Sequence, residues 1–111
     1  AGKYAKEALI SMKLWDSLQD KIIQAKDVNQ VLTYVESGNV EAGILYGSDA
    51  KPSDKVKVVA EAPVDSHSPI IYPCAVIKHT KNLTEAKAFI DYLNSEEAQA
   101  ILENYGFSSV K

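Results

Sequence analysis

Tyr4, Ala5, Ala8, Leu9 and Met12 recur at spacings of three and four, with polar residues between them. That period predicts an amphipathic helix over about residues 3–13. Its cap falls at Ala1 or Gly2, or upstream of both. Trp15 and Leu18 read as the connection that follows, and residues 21–25 as a short strand. Asp27 and Gln30 have the spacing of a capping box, in which two side chains satisfy amides of the first helical turn. Val28, Val31, Leu32 and Val35 then form one apolar stripe, which predicts a second helix over residues 28–37. Gly38 stands where a left-handed residue ends such a helix.

The period shortens after that. Residues 42–46, 56–60 and 70–77 are apolar runs of strand length, and the first reads as buried. Pro73 lies inside the third run, which favours an edge or crossover position because proline cannot donate to a ladder. Gly47-Ser48-Asp49 is a turn or a further helix start. Residues 63–69 form a polar loop containing His67. Asn82 with Glu85 suggests a cap for a helix over 83–93, carrying Ala86, Phe89, Ile90 and Leu93. Ser95 caps a last helix over 95–105, which carries Ala98, Ile101 and Leu102 and stops at Gly106. Strands alternating with helices predict an α/β fold with a parallel-rich sheet flanked by helices. The two consecutive final helices break the alternation and are expected to dock away from that sheet.

Composition narrows the chemistry. The chain has 111 residues, 46% hydrophobic, which suits one globular unit or a piece of one. The opening residues read as the start of a helix rather than a natural amino terminus, so a piece of a longer protein is expected. The formal net charge is −3 and every formal cation is a lysine. A basic nucleic-acid footprint is excluded. So is bidentate guanidinium recognition, since arginine is absent. An anion bound here must be held by backbone amides, hydroxyls or lysines. Cys74 has no partner for a disulfide and reads as a small buried hydrophobe. Cys74, His67 and His79 do not form a nucleophilic pair on spacing, and no catalytic residue is assigned. His67, His79 and Asp65 fail as metal ligands, because a strand of about ten residues separates the histidines by roughly 30 Å. Lys3, Lys6, Lys13 and Lys21 spread over two helix faces and read as solvated surface.

Helix starts supply the candidate anion chemistry. Asp27-Val28 opens a helix after a strand, so that amino terminus faces the crevice at the strand ends. Unpaired amides and the positive end of the helix dipole favour an anion there. The first helix begins at Ala1 in the same kind of position. Tyr46 closes a strand, so its hydroxyl can reach the same edge.

The run Ala1-Gly2-Lys3-Tyr4-Ala5-Lys6-Glu7-Ala8-Leu9 resembles a segment of the periplasmic molybdate-binding proteins, the solute receptors of ABC importers. The resemblance continues in order through Leu14-Trp15-Asp16, Asp27-Val28, Tyr34-Val35-Glu36, the run from Gly43 to Ala50, and Val56-Lys57-Val58-Val59-Ala60. It goes on through Ser66-His67, Tyr72-Pro73, Ala75-Val76, Ala88-Phe89, Asp91-Tyr92-Leu93 and Tyr105-Gly106-Phe107. It implies a fold of the periplasmic-binding-protein type II kind, two α/β lobes with the ligand between them, here truncated. Residues 1–78 would be most of the second lobe, and residues 79–111 helices that return to the first. The second lobe would offer the oxyanion the amides of Ala1 and Val28 and the hydroxyl of Tyr46. The first lobe, carrying serine hydroxyls, is absent from this chain.

The resemblance further implies molybdate or tungstate as ligand, no cofactor, and no metal coordinated directly by the protein. The implied partners are a membrane permease and the missing amino-terminal lobe, with a homodimer expected of the isolated fragment. The implied location is extracytoplasmic, in the periplasm or at the cell surface, with or without a lipid anchor. Two alternatives share the fold: the sensing domain of a transcription regulator, and a receptor for another oxyanion such as sulfate. Molybdate and tungstate are dianions without protons at neutral pH, so a dry ring of donors suits them. Phosphate carries a proton and needs an acceptor. Asp27 is the candidate, but a capping carboxylate is already occupied by the amides of its own helix.

Overall fold

Helices close their backbone hydrogen bonds within one turn, and each of the four helices marked by the 3.6-residue period is formed. The computed structural model describes residues 1–109. Residues 110 and 111, the end of the segment expected over 79–111, lie outside the described residues. The helices are α1 (Gly2–Ser11), α2 (Trp15–Leu18), α3 (Val28–Glu36), α4 (Gly47–Ala50), α5 (Leu83–Leu93) and α6 (Glu96–Asn104). A single 3-10 turn, Gln19–Lys21, extends α2. The connection expected at Trp15 is thus a short helix, and of the turn or helix start read at Gly47 it is the helix that forms.

Three helix ends share one device. At α3 the Gly38 N–H donates to Val35 O at 3.1 Å and the Asn39 N–H to Tyr34 O at 2.9 Å, with Gly38 at φ +73°. The same pair of bonds ends α6 around Gly106. Crossed bonds of this kind satisfy the last carbonyls and need a left-handed residue at the turn. In α1 that residue is Lys13, at φ +58°, with its N–H on Ile10 O and the Leu14 N–H on Leu9 O. A side chain in this region costs about 1–2 kcal/mol. The sequence pattern ran the helix on to Lys13 because no glycine marks the stop.

The chain divides into two compact units, Ala1–Pro69 and the residues from Ile70 onward. In the first unit α1 packs on α2, and α3 on α4. Ala8, Leu9 and Ala50 are its buried apolar residues. Gly43 lies directly against the α3 stripe: a Cβ built there would stand 2.6 Å from Val31 Cγ1 and 2.9 Å from Val35 Cγ2. In the second unit α5 packs on α6, and Ala98 is buried. Its Ser95 hydroxyl accepts the Ala98 N–H at 3.2 Å, as the sequence pattern requires of a cap. Asn82 caps no amide with its side chain, contrary to the Asn82–Glu85 reading.

The parallel-rich sheet is the main difference from expectation. Among the described residues no strand is formed, and residues 21–25, 42–46, 56–60 and 70–77 run as irregular backbone apart from the turn at Lys21. The physical reason lies in where the bonds go. A strand is satisfied only by a remote neighbour in register, whereas a helix is satisfied locally. Without a ladder the apolar runs are not enclosed. Ile44 is exposed, and so are Val58, Val59, Ile71 and Ile77, so the buried reading of 42–46 is corrected. Cys74 is exposed too, not a buried hydrophobe.

Candidate functional site

The three residues singled out as oxyanion donors all stand at helix starts of the first unit. Ala1 is the N-cap of α1, exposed, with its carbonyl accepting the Ala5 N–H at 2.9 Å and no side chain capping the turn. The opening amides of a helix have no partner inside it, so those of α1 are left for a ligand or solvent.

Val28 is the first residue of α3 and half-buried. Asp27 precedes it in extended conformation, and its Oδ1 accepts the Gln30 N–H at 2.9 Å. Gln30 answers through Oε1, which accepts the Lys26 N–H at 2.8 Å, one residue further back than the simple capping box predicts. The Asp27 carboxylate is therefore engaged in its own helix, and the Val28 amide precedes the capped one.

Tyr46 is half-buried and is the N-cap of α4, where a strand end was expected. Its carbonyl accepts the Asp49 and Ala50 N–H groups at 3.0 and 3.2 Å. Because α4 packs on α3, Val28 and Tyr46 belong to adjoining elements. The α1 helix contacts α2 and neither of those two. Asp49 in α4 has an enclosed Oδ2 with no hydrogen-bond partner. Among the open hollows on the surface of the described residues are two of note. One, of about 520 Å³, is lined by Ile10, Lys13, Trp15 and Asp16, and Lys6 lies over the Trp15 ring at 4.9 Å. The other, of about 210 Å³, lies in the second unit beside Cys74 and Phe89. Neither is lined by Ala1, Val28 or Tyr46.

A connection that the periodicity argument missed joins α1 to the 63–69 loop. Glu7 Oε2 accepts the Ser68 N–H at 2.7 Å, and its Oε1 accepts the Ser68 hydroxyl at 3.0 Å. One turn earlier on α1, Tyr4 meets the His67 ring edge-on, with centroids 6.1 Å apart. His67 Nδ1 lies 2.9 Å from Ser68 O. Ser66 is buried, and its hydroxyl donates to Pro63 O at 2.6 Å. The Ser68 N–H holds the Glu7 carboxyl below the usual glutamate range; desolvation opposes this, and the Ser68 hydroxyl, Lys3 and His67 add to it. A depressed carboxylate favours the folded state above the ordinary glutamate value, and that contribution is lost as pH falls through the lowered one. Nothing in the sequence relates Glu7 to Ser68, 61 positions apart, before the contact is seen.

His67 thus serves the loop, while Cys74 and His79 belong to the other unit. Among the described residues, no three His, Cys, Asp or Glu side chains gather into a metal site.

Comparison with known proteins follows the same residues. The pattern of the bacterial extracellular solute-binding protein family matches residues 1–108. The molybdate-binding protein ModA of Escherichia coli is 48% identical over 97% of the chain and 42% of its own length. A substrate-binding lipoprotein assigned to an ABC transporter of Bacillus subtilis is 53% identical over 98% of the chain and 42% of its own length. Among solved structures, the substrate binding domain assigned to a molybdenum ABC transporter of Clostridium difficile superposes with a TM-score of 0.89. It shares 47% identity and covers 99% of this chain and 48% of its own. The chain therefore spans about two fifths of the length of the curated relatives it matches.

Proposed function

The chain belongs to the bacterial extracellular solute-binding protein family, and from that premise we propose that it is part of a receptor for molybdate or tungstate feeding an ABC importer. One observation carries the reading: 48% identity to a molybdate-binding protein across nearly the whole chain. The chemistry agrees with it. Ala1, Val28 and Tyr46 each stand at a helix start. Amides and a hydroxyl donate and do not accept from a proton-free dianion, and the helix dipoles add positive potential. Asp27, the candidate acceptor for the proton of phosphate, already takes the Gln30 N–H on its Oδ1.

The remaining donors belong to a first lobe outside this chain, and the permease is the partner that takes the ligand onward. The location proposed is extracytoplasmic, in keeping with the lipoprotein relative. The protein binds and releases; no group here is assigned a catalytic part.

Calorimetry on the product of the whole gene tests the proposal. Molybdate and tungstate should bind tightly, sulfate weakly, and amino acids not at all. Amino-acid binding with silence toward molybdate would reject the assignment, and sulfate binding equal to molybdate would reassign the ligand.

The isolated 111-residue chain has a further expected behaviour. Val59 and Val64 are 82% and 89% exposed, and Phe89 and Ile101 are open on α5 and α6. Apolar surface on this scale drives association. Sedimentation should show a mass that rises with concentration through a dimer. A strict monomer at high concentration would count against it.

A further inference from the structure

On the footing of the anion-binding reading above, we infer that Glu7 is a positioning residue for the anion-binding end of α1, acting through Ser68. Both carboxylate oxygens are committed to that one residue, at 2.7 Å to its N–H and 3.0 Å to its hydroxyl. Two bonds from one planar group fix an orientation as well as a distance. The contact joins positions 61 apart in sequence, so it restrains α1 in a way its own helical bonds cannot.

The partner is itself held. Ser66 folds the loop onto Pro63 O through both its N–H, at 2.9 Å, and its hydroxyl, at 2.6 Å. His67 adds a second point of contact at Tyr4, one turn nearer the helix start. By contrast, among the described residues α1 has no side-chain cap at Ala1, and the only helix packed on it is α2. The 63–69 loop is thus the element that fixes where the first amides of α1 point.

Charge and position make opposite predictions, which is what renders the inference testable. A carboxylate on the second turn repels a dianion at the head of the same helix, weakly across solvent. If Glu7 acted by its charge alone, neutralising it would tighten binding. If it positions α1, removing it weakens binding. The Glu7→Ala, Glu7→Gln and Glu7→Asp variants of the whole gene product should be compared by molybdate calorimetry and by hydrogen exchange at the Ser68 amide.

Glu7→Ala should speed Ser68 exchange about tenfold or more and weaken molybdate binding about three- to tenfold. Glu7→Gln keeps the length and one acceptor, so it should fall between Ala and wild type in both readouts. Glu7→Asp keeps the charge on a shorter arm and should resemble Ala rather than wild type. Tighter binding in Gln and Ala would overturn the inference in favour of a charge effect. Faster exchange with an unmoved Kd would also overturn it, leaving Glu7 a purely structural contact. If Ala does not fold, the near-isosteric Gln variant carries the same comparison. A wild-type protein that binds no molybdate would sink the functional reading and this inference together. Wild-type binding with no effect of Glu7 would sink the inference alone.

Discussion

Replacing Tyr46 with Phe in the product of the whole gene should weaken molybdate binding by about 1–3 kcal/mol, or about 5- to 150-fold in Kd. The figure is the cost of leaving a charged partner one donor short inside a site that excludes water. A backbone amide at Ala1 or Val28 is deleted only by proline, which also fixes φ, so Tyr46 is the donor of the proposed set whose removal leaves the backbone chemistry unchanged. The substitution removes one oxygen and keeps the ring, and the Tyr46 carbonyl still accepts the Asp49 and Ala50 N–H groups that begin α4. The loss should appear in calorimetry, read beside the melting curve of the same variant. Tungstate, with the same acceptor oxygens and charge, should lose affinity in parallel. A Kd for both anions equal to wild type would remove Tyr46 from the site, whatever became of Ala1 and Val28.

The helices were legible because their evidence is local. Apolar residues three and four apart marked α1, α3, α5 and α6. Asp27, Gly38, Ser95 and Gly106 marked ends that the structure closes with the bonds those residues are suited to make. The stop after α1 was less legible because Lys13 adopts a conformation that sequence statistics reserve for glycine. The apolar runs at 42–46 and 70–77 read as strands of a sheet that the described residues do not form, since pairing depends on residues far away in the chain. The same limit applies to the site. Ala1, Val28 and Tyr46 could be placed at element ends one at a time, and their order along the chain made the family resemblance visible. Glu7 could not be singled out by period or charge. A glutamate on the face of an amphipathic helix reads as solvated surface until Ser68 is found against it.

Gly43 carries the other large expected effect, and its cause is packing, since nothing about its backbone demands glycine. A methyl group at Gly43 would stand 2.6 Å from Val31 Cγ1 and 2.9 Å from Val35 Cγ2. Both neighbours are β-branched and sit in a helix, where χ1 has essentially one well, so neither can swing aside. Relief requires α3 to move away from the 43–46 segment, or that segment to move away from α3. Overpacking of this kind costs about 1–3 kcal/mol for Ala and more for Val. In a whole gene product of the length of its relatives each kcal/mol lowers Tm by about 2–4 °C. Because α3 begins at Val28, the shift should also reach the proposed anion site, so Gly43→Ala should weaken molybdate binding as it lowers Tm. A compensating cut identifies the contact. Val31→Ala removes the nearer methyl groups, so the Gly43→Ala, Val31→Ala double variant should be more stable than the sum of the single losses predicts. Additive losses, or a Gly43→Ala protein that melts with wild type, would mean that α3 does not rest on Gly43 in this way.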